Sequence, residues 1–176
     1  MTEPSAPAGT FTSGMLARCS RGISLACLWL AGAGLVAMSA TILWQVFARY
    51  VLNASPSWSE QLALYVLVWT VLLAAAAGVR EQYHIRITAL EQRLGEATGR
   101  RLRLAAHTIT AAMGACLFTY GSELVLALWA YPIPTLGLPR GSAFACVPLA
   151  GALMIAFSLE HMLAILRRQS VRPAWN

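Results

Sequence analysis

Long runs without a charged residue constrain this chain more than any other feature. The run between Glu60 and Arg80 contains 19 uncharged residues, which form about 28 Å of α-helix at 1.5 Å per residue. That length matches the ~30 Å hydrocarbon core of a lipid bilayer. Uncharged runs of 27, 19 and 19 residues also cover 22–48, 104–122 and 141–159. The pattern predicts an all-α integral membrane protein with four transmembrane helices.

Composition agrees with a membrane protein and argues against a soluble domain. The chain is 58% hydrophobic and 11% charged, and its mean hydropathy is +0.61. Its net charge of +6 comes entirely from arginine and glutamate, since the chain has no lysine and no aspartate. The arginines lie between the apolar runs and form no basic domain, so the charge does not indicate nucleic-acid binding.

The runs predict a four-helix membrane domain over residues 16–169, with a mobile tail at 1–15 and a C-terminal tail at 170–176. The predicted helices cover about 22–48, 57–80, 101–130 and 139–163, and Pro148 is expected to disturb the last of them. A cleaved signal peptide is the alternative for the first run. Signal peptides, however, have apolar regions of only about 7–15 residues, so a first spanning helix is favoured.

The arginines also predict how the chain is oriented. Four spans place both termini on one side, and eleven of the 13 arginines fall on that side. Only Arg49 and Arg140 fall on the other side. Because short cytoplasmic loops are enriched in arginine, the sequence predicts an inner-membrane protein with both termini in the cytoplasm.

The segment from Arg80 to Arg103 is the only substantial polar stretch between two spans. Its apolar residues form an irregular stripe, which predicts a short amphipathic helix at the interface between helices 2 and 3. Arg80, His84 and Arg86 begin this segment and are predicted to lie at the cytoplasmic lipid interface. They are either determinants of orientation or ligands of a phospholipid headgroup.

Helix contacts are predicted at small residues spaced four apart, because such pairs allow close backbone approach in lipid. These pairs are Ala33/Ala37, Ala74/Gly78, Ala111/Ala115 and Ala152/Ala156. Trp69, in the middle of the second span, is expected to be a packing residue. The four cysteines have no CxxC spacing and lie in or beside apolar runs, so they are expected to be packed free thiols.

No motif in the sequence indicates a catalytic residue, a metal site or a cofactor. A P-loop, a GxSxG motif and an HExxH motif are all missing, so the chain is not predicted to be an enzyme. The histidines His84, His107 and His161 leave one alternative, a b-haem-binding anchor subunit of a redox complex. Haem binding requires two histidines that face each other inside the bundle, whereas these are expected to form interfacial hydrogen bonds.

The loop between the first two spans holds the candidate binding residues. Arg49, Trp58 and Glu60 are predicted to form a partner-binding region on the periplasmic face. The sequence Ser57–Glu60 also fits an S-x-x-E capping box, with Ser57 as N-cap of the second helix. Glu60 is therefore a helix cap, a docking charge or both, and Arg49 either pairs with it or extends its charge into water.

Several short motifs resemble one family of membrane proteins. Around the first loop they are F-A-R-Y-V-L at Phe47–Leu52 and W-S-E at Trp58–Glu60, followed by Trp69 within the second span. The second span ends with Arg80 and is followed by H-I-R at His84–Arg86. The last motif is P-x-x-G-L-P at Pro134–Pro139, together with Pro148. In this order and spacing they resemble the small membrane subunit (DctQ-like) of tripartite ATP-independent periplasmic (TRAP) transporters. The resemblance covers about residues 22–168.

That resemblance implies a role without an active site of its own. In such a transporter a soluble periplasmic binding protein delivers an organic acid, often a carboxylate, to a membrane complex. A large subunit carries the substrate and sodium sites. The small subunit is implied to be a scaffold that supports the large subunit and helps to receive the binding protein, and phospholipid is a further expected partner.

Overall fold

The computed structural model describes residues 15–54, 56–81 and 96–166. The helices are α1 (Met15–Tyr50), α2 (Ser59–Glu81), α3 (Glu96–Leu128), α4 (Arg140–Phe144) and α5 (Cys146–Leu166). Within these described residues, four segments are long and apolar enough to cross a membrane: Arg18–Tyr50, Ser59–Glu81, Thr98–Leu128 and Arg140–Leu166. The predicted all-α architecture with four spanning helices is confirmed. Residues 82–95 of the predicted amphipathic segment, with His84 and Arg86, lie outside the described residues. The two ends of the segment belong to α2 and α3.

The last span consists of two helices because of Pro148. Proline has no N–H to donate, and its ring clashes with the carbonyl group four residues earlier, which here belongs to Phe144. Helix α4 ends at Phe144, and Ala145 keeps helical dihedral angles (φ −61°, ψ −22°) before α5 begins. The disturbance predicted at Pro148 is therefore a break in hydrogen bonding between α4 and α5.

The four spans pack as a row of two hairpins. Helix α1 packs against α2, α2 packs against α5, and α5 packs against α3. Each hairpin pairs antiparallel helices, while α2 runs parallel to the last span at the centre. Its contacts with Ser142 of α4, through Tyr65, and with His161 of α5, through Arg80, show this direction. The edge helices α1 and α3 therefore leave a broad apolar surface uncovered, including Trp29, whose side chain is 77% exposed.

Glycines, not the predicted alanine pairs, make the closest helix contacts. A Cβ atom added to Gly151 of α5 would lie 2.6 Å from the carbonyl oxygen of Gly114 of α3. A Cβ atom added to Gly121 would lie 3.0 Å from the Pro148 ring. By contrast, both residues of the pairs Ala33/Ala37 and Ala152/Ala156 are exposed, and Ala74 and Ala115 are exposed too. The prediction from the spacing of alanines was wrong within this chain.

The centre of the row is apolar. Cys27, Leu73 and Ala77 form its buried cluster, and Trp69 packs against it together with Leu28 and Leu153. This confirms the packing role predicted for Trp69. All four cysteines are free as predicted. The predicted packing is confirmed for Cys27 and Cys146, which are buried, but was wrong within this chain for Cys19 and Cys116, which are exposed.

Helix α2 begins later than the capping box predicts. Its first backbone hydrogen bond runs from the N–H of Leu62 to the carbonyl oxygen of Trp58 (2.9 Å), so Trp58 occupies the N-cap position and Ser57 precedes it. The hydroxyl of Ser59 donates to the carbonyl oxygen of Pro56 (2.8 Å). The predicted cap at Ser57 was wrong. Glu60 nevertheless lies in the first turn, where a negative charge stabilises the helix dipole.

Candidate functional site

Two loops meet at one end of the row, here called the loop end. The α1–α2 loop is closed by a hydrogen bond from the N–H of Ala54 to the carbonyl oxygen of Ala48 (3.1 Å). Asn53 there has a positive φ of 51°, a conformation that asparagine tolerates better than most residues. The loop is therefore a compact turn that projects from the ends of α1 and α2.

The α3–α4 loop is a tight hairpin. The N–H of Arg140 donates to the carbonyl oxygen of Tyr131 (2.7 Å), and the N–H of Ile133 donates to that of Leu138 (2.8 Å). Gly137 has a φ of 65°, which suits glycine because it lacks a Cβ atom. The buried Ile133 side chain fixes this loop to the helices.

Side chains join the two hairpins at the loop end. The hydroxyl of Thr135 donates to the side-chain oxygen of Gln61, and the hydroxyl of Tyr65 lies 3.5 Å from the carbonyl oxygen of Ser142. A rim of exposed aromatic side chains surrounds these contacts: Trp44, Phe47, Tyr50, Trp58, Trp129 and Tyr131. Such rings are typical of the level of the lipid headgroups.

The structure places Arg49, Trp58 and Glu60 at this loop end, and all three are exposed. Arg49 is the last basic residue of α1, and Glu60 lies in the first turn of α2. Among the described residues, no salt bridge joins Arg49 to Glu60. Both side chains are thus exposed and not paired with each other, while their role in docking stays a prediction.

The opposite end of the row holds a buried polar network that sequence reasoning missed. Here Arg80, predicted to be interfacial, is only 2% exposed. Its Nη1 atom lies 3.2 Å from Oε1 of Glu81, and its Nε atom lies 3.6 Å from Oε2 of Glu160. Arg80 therefore links the two central helices, α2 and α5. We call this group, with the serines and histidines described next, the Arg80 network.

Serines of α1 complete the network. The hydroxyl of Ser24 donates to Oε1 of Glu81 (2.8 Å), and that of Ser20 donates to Oε1 of Glu160 (2.8 Å). The Nε group of Arg80 also donates to Ser20 (3.3 Å). These hydroxyls lie four residues apart, so they share one face of α1. Each carboxylate thus accepts a hydrogen bond from a serine of α1 and forms an ion pair with Arg80 of α2.

Two histidines connect the network to α3. Nε2 of His161 lies 2.9 Å from the carbonyl oxygen of Arg80. The rings of His107 and His161 stack with centroids 4.8 Å apart and planes within 10° of parallel. A haem held by two histidines has its iron between their nitrogen atoms, and this stacked pair leaves no room for a porphyrin between the rings. The geometry therefore does not support the haem alternative.

The network joins α1, α2 and α5 through ion pairs and hydrogen bonds, and the stacked histidine rings extend it to α3. Charged groups are stable in a membrane protein only when they are paired and bonded in this manner. Its groups bond to one another, which is the arrangement of a structural junction. The local signals in the sequence were Arg80-Glu81 and Glu160-His161 at the ends of two spans.

Comparisons with known proteins agree with this architecture. The family described as "Tripartite ATP-independent periplasmic transporters, DctQ component" matches residues 38–168. A similar protein is the sialic acid TRAP transporter small permease protein SiaQ of Vibrio cholerae serotype O1. It is 23% identical over 133 residues, which cover 76% of this chain and 77% of the relative. Since the family matches most of the chain, this protein belongs to the DctQ component family, the small permease subunits of TRAP transporters.

Proposed function

We propose that this chain is the scaffold subunit of a sodium-driven TRAP transporter that imports an organic acid of the carboxylate class. TRAP small permease subunits work with a large membrane subunit and a periplasmic binding protein. The observation that carries the scaffold role is the open row of helices, whose edge helices α1 and α3 expose large apolar faces. A second membrane subunit can pack against such a face. The relative from Vibrio cholerae is named for sialic acid, which supports an organic acid as the substrate class.

The sidedness proposed for the chain places the loop end in the periplasm and the Arg80 network at the cytoplasmic end. The distribution of arginines supports this orientation, since Arg18, Arg21, Arg100, Arg101 and Arg103 lie beyond or beside the network on α1 and α3. Exposed arginines at that end also suit contact with anionic phospholipid headgroups.

Cysteine labelling of intact cells tests this orientation. In a variant without native cysteines, Asn53→Cys is expected to react with a membrane-impermeant maleimide added outside, because Asn53 lies exposed in the α1–α2 loop. Thr98→Cys, exposed on the extension of α3, is expected to react only after the cells are opened. Reaction of Thr98→Cys in intact cells would reverse the proposed orientation.

The loop end is the proposed docking face for the periplasmic binding protein. Arg49, Trp58 and Glu60 supply a positive charge, an exposed aromatic ring and a negative charge on one end of the hairpin. Exposed charges at the rim of an interface mainly change the association rate and its dependence on salt.

The variant Glu60→Gln tests docking by Glu60. Uptake by the complete transporter in proteoliposomes is expected to need more binding protein for half-maximal rate and to depend less on salt, because the charge that steers association is lost. The loss of its interaction with the dipole of α2 should cost only about 0.3–1 kcal/mol, so the complex should remain intact. Liposomes that contain the small subunit alone are the control, and we expect no saturable uptake from them. Saturable uptake there would contradict the scaffold role, whereas an unchanged salt dependence for Glu60→Gln would limit Glu60 to stabilising α2.

A further inference from the structure

We propose that the face of α3 around Glu123 is the surface on which the large membrane subunit packs, where Glu123 meets a cationic or hydrogen-bond-donating side chain of that subunit. The inference rests on the proposed function, because it takes the large subunit as the partner. It adds which of the two edge helices makes the contact and through which residue.

Glu123 points away from the rest of this chain. Gly114 and Gly121 mark the side of α3 that packs against α5. Successive helical residues are about 100° apart, so Glu123 lies about 200° from Gly121 and occupies the opposite side. The side chain of Glu123 is exposed, as is its neighbour on the helix surface, Tyr120, at 69%.

The position along α3 places the carboxylate inside the bilayer. Glu123 precedes Trp129, which belongs to the aromatic rim, by six residues, about 9 Å along the helix axis. Side chains of an α-helix lean towards its N-terminus, which for Glu123 is away from the nearer end of α3. The carboxylate therefore leans deeper into the apolar layer and is poorly placed to reach the headgroups.

A carboxylate in that position needs a partner. In the described part of the chain, Glu123 forms no salt bridge and no side-chain hydrogen bond. Charged side chains that face hydrocarbon are unfavourable, and those in spanning helices usually face protein or water. A cationic or donor group on a neighbouring membrane subunit supplies what this chain lacks.

The other edge of the row has no such requirement. Helix α1 carries no charged residue between Arg21 and Arg49. Its exposed side chains include Trp29, Val36 and Leu43, which recur every seven residues and so lie along one stripe. Large apolar side chains of this kind are stable against lipid tails. The charge difference between the edges assigns α3 to the large subunit and α1 to lipid.

Photo-cross-linking in the complete transporter tests the assignment. A benzophenone amino acid placed at Tyr120 is expected to give an adduct with the mass of both membrane subunits. The same group at Trp29, on the opposite edge, is the matched control, and it is expected to give no such adduct. An adduct from position 29 alone, or from neither position while the two subunits still co-purify, would overturn the inference and leave the scaffold role intact. If the unmodified subunits do not co-purify, the proposed function itself fails.

Charge reversal tests Glu123 directly. Glu123→Lys is expected to lower the amount of large subunit recovered with a tagged small subunit by about tenfold or more, as for a broken buried ion pair at an interface. Glu60→Lys makes the same charge change at the exposed loop end and should leave recovery unchanged. Glu123→Gln keeps a hydrogen-bonding oxygen, so the recovery of the large subunit with this variant should lie between the recoveries with Glu123→Lys and Glu60→Lys. Equal recovery with Glu123→Lys and with wild type, at equal amounts of small subunit in the membrane, would remove Glu123 from the interface.

Discussion

Replacing Arg80 with leucine is expected to destabilise this protein by about 3–5 kcal/mol, the usual effect of breaking a buried ion pair from one side. The guanidinium group is buried against the carboxylates of Glu81 and Glu160, at 3.2 and 3.6 Å. Leucine leaves those carboxylates without that cation in a region of low dielectric constant. Since folded proteins are commonly stable by only about 5–15 kcal/mol, the loss is a large fraction of the total.

The measurement is the fraction of folded protein during denaturation in mixed detergent micelles. Arg49→Leu, which removes an exposed arginine at the other end, is the matched control and should change stability little. Combining Arg80→Leu with Glu81→Gln and Glu160→Gln should restore part of the loss, because it removes the carboxylate charges together with the cation. If Arg80→Leu proves no more destabilising than Arg49→Leu, the network does not hold the helices together.

The number of spans could be predicted from the sequence because the thickness of the bilayer fixes the length of an apolar helix. The uncharged run between Glu60 and Arg80 falls within α2, which extends over Ser59–Glu81. Pro148 was equally informative, because a proline ring acts on its own helix. Features of a single helix could thus be predicted from local residues alone.

The Arg80 network could not be predicted, because it depends on which helices are neighbours. In the sequence, Arg80 and Glu160 lie at the ends of uncharged runs and look like interfacial residues. In the structure α2 and α5 run parallel, and this arrangement brings the two ends together. The alanine pairs failed for the same reason, since spacing identifies a close-packing surface without showing whether another helix of the chain lies against it.

The contact between α3 and α5 is expected to be the second place where a single substitution strongly lowers the stability of the protein, and Gly151→Leu tests this. A Cβ atom at Gly151 would lie 2.6 Å from the carbonyl oxygen of Gly114 and 2.7 Å from the backbone nitrogen of Phe118. Both obstacles are backbone atoms, so no side-chain rotation relieves the clash, and the two helices must separate. Overpacking of this kind costs about 1–3 kcal/mol and occasionally more.

A glycine without neighbours provides the control, because nothing lies within 4 Å of a Cβ atom added to Gly32 of α1. In a helix interior alanine is more favourable than glycine by about 0.8–1.0 kcal/mol, so Gly32→Ala should leave the denaturation midpoint unchanged or raise it. Gly151→Ala should lower the midpoint, because its Cβ atom already meets the backbone of α3, and Gly151→Leu should lower it further. The change from glycine to alanine is thus expected to lower the midpoint at position 151 but not at position 32, and this difference separates the effect of packing from that of helix propensity. A rise in the midpoint for both alanine variants would show that α3 and α5 do not approach as closely as Gly114 and Gly151 indicate.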